Sequence, residues 1–156
     1  LFVGSVCGKA EEAMNMYTQL FGGTILPDIS RYGAGQAPDA EGTLNYARFE
    51  IGGMEMVVMD SAHDHKFAFN EMQSFVVRSQ DQAEMDTYWN ALSAVPESEQ
   101  CGWLKDKYGV SWQMTTYGME EMIGKGTPEQ IQRIVQAFMP MKKLDIATIE
   151  KAFKGE

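Results

Sequence analysis

At 156 residues the chain makes one domain or two small fused halves, long enough to bury about 70% of its unfolded surface without staples. Its net charge of −9 argues against nucleic acid as a partner, and no apolar run approaches the ~20 residues of a membrane-spanning helix. Cys7 and Cys101 stand far apart and read as two thiols in a reducing compartment, and with no signal peptide in view the expected location is cytoplasmic.

Leu1 to Val6 is a short apolar stretch, read as a first strand. Gly4-Ser5-Val6-Cys7-Gly8-Lys9-Ala10 has the look of a phosphate loop, but it is one residue short and lacks the Ser or Thr after lysine. From Lys9 to Phe21, the residues Ala10, Ala13, Met14, Tyr17, Leu20 and Phe21 fall three and four apart, which predicts an amphipathic helix closed by Gly22-Gly23. Thr24 to Tyr32 is strand-rich, with Pro27 marking an edge or bulge. Gly33 to Gly42 reads as a surface loop. Leu44 to Ile51 and Met54 to Asp60 read as two strands joined at Gly52-Gly53, and the connection from Ser61 to Asn70 holds both histidines, His63 and His65.

The pattern then restarts, with a strand over Met72 to Val77 and a helix over Asp81 to Leu92 whose apolar face carries Met85, Tyr88, Trp89 and Leu92. Adding 72 to Glu12, Tyr17 and Leu20 gives Glu84, Trp89 and Leu92, and the same shift carries Phe2 onto Ser74. An internal duplication explains this order, with halves over about 1–61 and 72–116. Beyond them, Thr127-Pro128-Glu129-Gln130 is a helix start followed by the stripe Ile131, Ile134, Val135, Phe138 and Met139, which Pro140 stops. Asp145 caps a second helix with Ile146, Ile149 and Phe153 on one side. Residues 117–156 thus form a helical extension whose stripes must dock on this chain's sheet or on a second subunit.

Cys101 to Met114 reads as strand, turn and strand. Asp106 to Gly109 carries the turn. Val110, Trp112 and Met114 alternate with Ser111, Gln113 and Thr115, so Gln113 shares a face with its two polar neighbours and Trp112 faces the core. Trp103 reads equally as pocket wall or core.

This hairpin resembles the last hairpin of the vicinal-oxygen-chelate superfamily, the glyoxalase, bleomycin-resistance and dioxygenase group, with Asp106-Lys107-Tyr108-Gly109-Val110 in place of its turn and Gln113 where its metal-binding glutamate falls. The run from Gly102 to Gln113, with Ala10-Glu11-Glu12-Ala13, His65-Lys66-Phe67, Phe69-Asn70-Glu71 and Met141-Lys142-Lys143-Leu144-Asp145-Ile146, resembles its PhnB-like subgroup, also labelled the 3-demethylubiquinone-9 3-methyltransferase domain. The resemblance spans essentially the whole chain. It implies an α+β fold of two βαβββ repeats over 1–116, with curved mixed sheets around a cavity, and a homodimer.

It also implies four inward positions, which in the superfamily's enzymes hold a divalent metal. Here they fall near Phe2, on Met56 or Val57, on Ser74 and on Gln113, none of them a good ligand for zinc, iron or nickel. Glu55 enters only if the register slips. His63-Asp64-His65 reads as a solvated loop, and His65 either orients a ligand or holds that loop. No Ser/His/Asp or Cys/His set is legible, so no catalytic residue is assigned and no metal or cofactor is expected. The expected function is binding of a small organic molecule in a metal-free cavity by Phe2, Glu55, His65, Ser74, Trp103, Ser111, Gln113 and Thr115, with the reaction, if any, unassigned. The alternatives are a metal-dependent lyase or dioxygenase of the same superfamily and a sequestering, resistance-type protein. The literal methyltransferase reading lacks the glycine-rich loop and βαβ alternation of the usual S-adenosylmethionine folds.

Overall fold

A computed structural model describes residues 1–156 and divides the chain into two units, Leu1–Ala68 and Phe69–Glu156. The architecture is α+β, with two sheets and no closed barrel. No helix is long and apolar enough to cross a membrane.

In the first unit, helix α1 spans Ala10–Phe21 and buries Ala10, Ala13, Met14 and Tyr17, the stripe its spacing predicts. Lys9 gives its N-terminus no side-chain cap. The carboxylate of Asp60 takes that place, accepting from the backbone N–H of Gly8 at 2.6 Å and of Ala10 at 3.2 Å. Gly22 ends the helix in the left-handed region. Strands β1 (Thr24–Ile25) and β2 (Ser30–Arg31) lie on either side of Pro27 and both pair antiparallel with β3 (Leu44–Ile51). β3 also pairs with β4 (Met54–Val58) across the Gly52-Gly53 turn. The strand expected over Leu1–Val6 is reduced to one parallel bridge, Phe2 to Asp60, because the chain turns at Gly4, with φ 55°, into a 3-10 turn over Gly4–Val6.

In the second unit, β5 (Ser74–Ser79) leads to α2 (Gln82–Leu92), which Asp81 caps through Glu84 N–H at 2.9 Å. A 3-10 turn at Pro96–Ser98 precedes β6 (Trp103–Lys105) and β7 (Ser111–Thr116). The sheet order is β5-β7-β6, with β5 parallel and β6 antiparallel to β7.

Two residues related by the 72-residue shift both make parallel pairings. Phe2 bridges Asp60 in parallel, and its 72-shifted counterpart Ser74 pairs in parallel with Ser111. Tyr17 and Trp89, related by the same shift, are both buried, as are Ala13 and Met85.

Three helices follow. α3 (Tyr117–Lys125) starts on the Thr116 cap and α4 (Pro128–Phe138) on the capping box of Thr127 and Gln130; α5 (Ile146–Lys154) starts on Asp145. Gly118 and Gly124 dilute the helical signal of α3 in the sequence. The tail docks on its own unit. Ile134, Leu144 and Ile149 are buried, Gln82 bonds both the carbonyl of Leu144 and the N–H of Ile146, and Cys101 N–H donates to the Met141 carbonyl at 2.7 Å.

Candidate functional site

The register of β5-β7-β6 sorts its residues onto two faces, because partners in a pleated sheet point the same way and neighbours alternate. On one face lie Phe75, Leu104, Trp112, Met114 and Thr116, with α2 packed against the same strands. Trp112 is 1% exposed and its ring centroid lies 5.1 Å from that of Phe75, as its alternation predicts.

The other face is a small grid. One row is Ser74, Ser111 and Lys105; the next is Val76, Gln113 and Trp103; the third holds Arg78 and Thr115. Five of the residues singled out from sequence, Ser74, Trp103, Ser111, Gln113 and Thr115, therefore share one face of one sheet. Pairing with Gln113 places Trp103, left open by the sequence, on this side. Val76 is 47% exposed, which makes this the open face.

The polar groups at its centre are uncharged. Gln113 Nε2 donates to Ser74 Oγ at 2.7 Å. Charge sits at the corners and is compensated. Arg78 Nε donates to both carboxylate oxygens of Glu120, at 2.9 and 2.8 Å, which raises the guanidinium's pKa. Lys105 pairs with Glu71, and its hydrogen bond holds that carboxyl below the usual glutamate value. Sequence reasoning missed Val76, Arg78 and Lys105. Val76 lies between Phe75 and Val77, an unbroken apolar run that conceals which residue faces outward, and the two ion pairs join residues distant in sequence.

The hairpin rests on Asp106, 1% exposed. Its Oδ1 accepts from the N–H of Tyr108 at 2.9 Å and of Val110 at 3.0 Å, and its Oδ2 from the indole Nε1–H of Trp112 at 2.9 Å. One carboxylate thus fixes the turn and locks the tryptophan on the core face.

The remaining sequence-predicted residues lie in the first unit. Phe2 is 4% exposed and part of that unit's core. Pairing with buried Phe49 turns Met56 to the core side, whereas Val57, opposite Arg48, is 50% exposed on the other face. Glu55 is exposed on the same face and bound to Arg48 at 3.1 Å; Arg48 also bonds Asp28. His65 Nε2 lies 2.9 Å from Ser61 Oγ and its ring 5.0 Å from that of Phe67, contacts that hold the loop. His63 points outward, 3.7 Å from the carboxylate of nearly buried Asp39.

The donor set does not suit the metal that the superfamily's enzymes carry. At the four positions that the resemblance implies stand a phenyl ring, a thioether or an isopropyl group, a hydroxyl and an amide, and within neither unit do three His, Cys, Asp or Glu side chains gather as a metal cluster would require. A concavity of about 450 Å³ runs between α3 and α5 and is lined by Met122 and Phe153 with the charged Glu121, Lys125, Glu150 and Lys154. It contains none of the residues singled out from sequence.

Comparison with known proteins adds the relatives. A family model described as 3-demethylubiquinone-9 3-methyltransferase matches residues 2–115. A solved structure of a PhnB protein from Bacillus cereus, which carries the same methyltransferase name, is 41% identical, with 70% of this chain and 92% of that chain covered at a TM-score of 0.60. A protein from Pseudomonas aeruginosa, 20% identical over 74% of this chain and 92% of its own, shares the fold at a TM-score of 0.52. A search of curated proteins found no significant match.

Proposed function

Because the chain belongs to the 3-demethylubiquinone-9 3-methyltransferase family, in its PhnB-like, glyoxalase-fold branch, we propose that it binds a small, neutral organic molecule on the open face of the second unit's sheet, without a metal ion. The observation that carries this reading is the grid itself. Three hydroxyls, those of Ser74, Ser111 and Thr115, and an amide stand beside an indole and a valine, with every flanking cation already paired to a carboxylate. Such a surface orients a partly apolar ligand through hydrogen bonds and offers a phosphate no free positive charge. It also holds no nucleophile paired with a base, which favours binding over covalent catalysis.

Methyl transfer from S-adenosylmethionine is not part of the proposal. The usual folds for that cofactor present a glycine-rich loop after the first strand of a parallel sheet, and here the first sheet is antiparallel and the second has three strands. A cytoplasmic location and a homodimeric state belong to the same proposal.

Untargeted soaking with native mass spectrometry identifies the ligand. Gln113→Leu then weakens its binding by about 1–3 kcal/mol, through an unpaired ligand group, and Trp103 fluorescence responds to wild-type binding. Near-stoichiometric zinc, nickel or iron in protein purified without chelator would overturn the metal-free reading. Saturable heat with S-adenosylmethionine would revive the methyltransferase one.

A further inference from the structure

Two buried side-chain oxygens lack any hydrogen-bond partner, those of Ser79 and Ser111. Ser79 is on the core face beside Thr116. Ser111 is on the open face, 1% exposed, between Ser74 and Lys105 and next to the Gln113–Trp103 row. A buried hydroxyl without a partner is costly to the fold, and one on a ligand-facing surface has a use that the fold itself does not supply.

The segment 69–73 has neither helix nor strand and runs past this end of the sheet. Phe69 lies at the turn that precedes Ser111, where a Cβ on Gly109 would meet its Cβ at 3.8 Å. Glu71 is bound to Lys105, the register partner of Ser111. Met72 is 91% exposed, so its side chain packs on almost nothing and Glu71 and Phe69 make the segment's contacts.

We propose that residues 69–73 form a strap over Ser111, latched by the Glu71–Lys105 ion pair, and that when it lifts the Ser111 hydroxyl donates to the carbonyl oxygen of a neutral aromatic ligand stacked on Trp103. This rests on the reading of the open face as the binding site. The neutral class follows from the charge pattern, since an anion would have to displace Glu71 from Lys105 or Glu120 from Arg78. A ligand carbonyl would give the Ser111 hydroxyl the acceptor it lacks. The Glu71 end of the latch is 61% exposed, so it can exchange its partner for water.

The test titrates three probes of similar size, acetophenone, ethylbenzene and benzoate, against wild type, Ser111→Ala and Glu71→Gln, read by tryptophan fluorescence and ligand-observed NMR. Acetophenone should bind roughly tenfold tighter than ethylbenzene, and Ser111→Ala should abolish that preference while the thermal midpoint holds or rises. Glu71→Gln should speed acetophenone association several-fold. Equal affinities for acetophenone and ethylbenzene in wild type and Ser111→Ala would overturn the role of Ser111 and leave the binding face standing. Tightest binding by benzoate would overturn the neutral class, and an unchanged association rate in Glu71→Gln would overturn the strap. Failure of all three probes to bind would overturn the binding face and this inference together.

Discussion

Removing the Asp106 carboxylate should be among the most damaging single changes in the second unit. The carboxylate accepts three bonds, from two backbone N–H groups and one indole, and the residues that donate them are 4%, 8% and 1% exposed. Asp106→Ala strands three donors. Each costs about 1–3 kcal/mol, with the two turn amides at the low end because local unwinding lets water reach them. The sum is about 3–5 kcal/mol, a large share of the 5–15 kcal/mol typical of a whole domain. Asp106→Asn is more selective. It keeps Oδ1 for the two amides and turns an NH₂ toward the indole N–H, so it should cost about 1.5–3 kcal/mol. Denaturant unfolding of Asp106→Asn, Trp112→Phe and the double variant measures the coupling, since removing the indole N–H relieves the donor–donor conflict. The Asn substitution should cost about 1–2 kcal/mol less in the Phe background. A cost under ~1 kcal/mol for Asp106→Ala, or no coupling in the cycle, would refute this account of the hairpin.

Gly8 and Gly102 form a matched pair, at φ +82° and +84°. A Cβ at Gly8 meets nothing within 4 Å, whereas one at Gly102 lies 2.6 Å from the Met114 carbonyl oxygen and 3.3 Å from Leu144. Gly8→Ala should cost the left-handed penalty of about 1–2 kcal/mol and Gly102→Ala clearly more, and equal shifts in urea midpoint would contradict the geometry. Acid should loosen the tail. Asp145 is held below the usual aspartate range by the Thr148 N–H, Asp86 below it by Lys143, and Glu99 below the usual glutamate range by Ser93 and Lys142. Folded values below the unfolded ones mean that the contribution is complete above those unfolded values and is lost as pH falls through the depressed folded ones. Hydrogen exchange over residues 142–154 should therefore accelerate below about pH 4 before β5 and β7 respond, and simultaneous loss would count against the idea. Light scattering at micromolar concentration should give about twice the 17.5 kDa chain mass, and a clean monomer would remove the dimer from the proposal.

What the sequence alone determined is what short-range chemistry encodes. The stripe from Ala10 to Tyr17 with Gly22 behind it is a helix, the Thr127–Gln130 box starts another, and alternation from Val110 to Thr115 sends Trp112 inward. The 72-residue shift, which needs no knowledge of contacts, relates the buried Tyr17 and Trp89, and it relates Phe2 and Ser74, each of which makes a parallel pairing. The same local logic over-read Leu1–Val6, where Gly4 takes a positive φ and the strand shrinks to one bridge.

Only the tertiary structure decided the faces and the partners. A one-residue change of register moves a side chain from core to solvent, so Met56 against Val57, and the side of Trp103, were settled by pairing with Phe49, Arg48 and Gln113. The ties between Glu71 and Lys105 and between Arg78 and Glu120, and the docking of the tail through Gln82, join residues 34 to 64 positions apart, beyond the reach of any periodic signal. The solitude of the Ser111 hydroxyl is likewise a property of what surrounds it once the chain has folded, because a serine's hydrogen bonding is set by its neighbours in space.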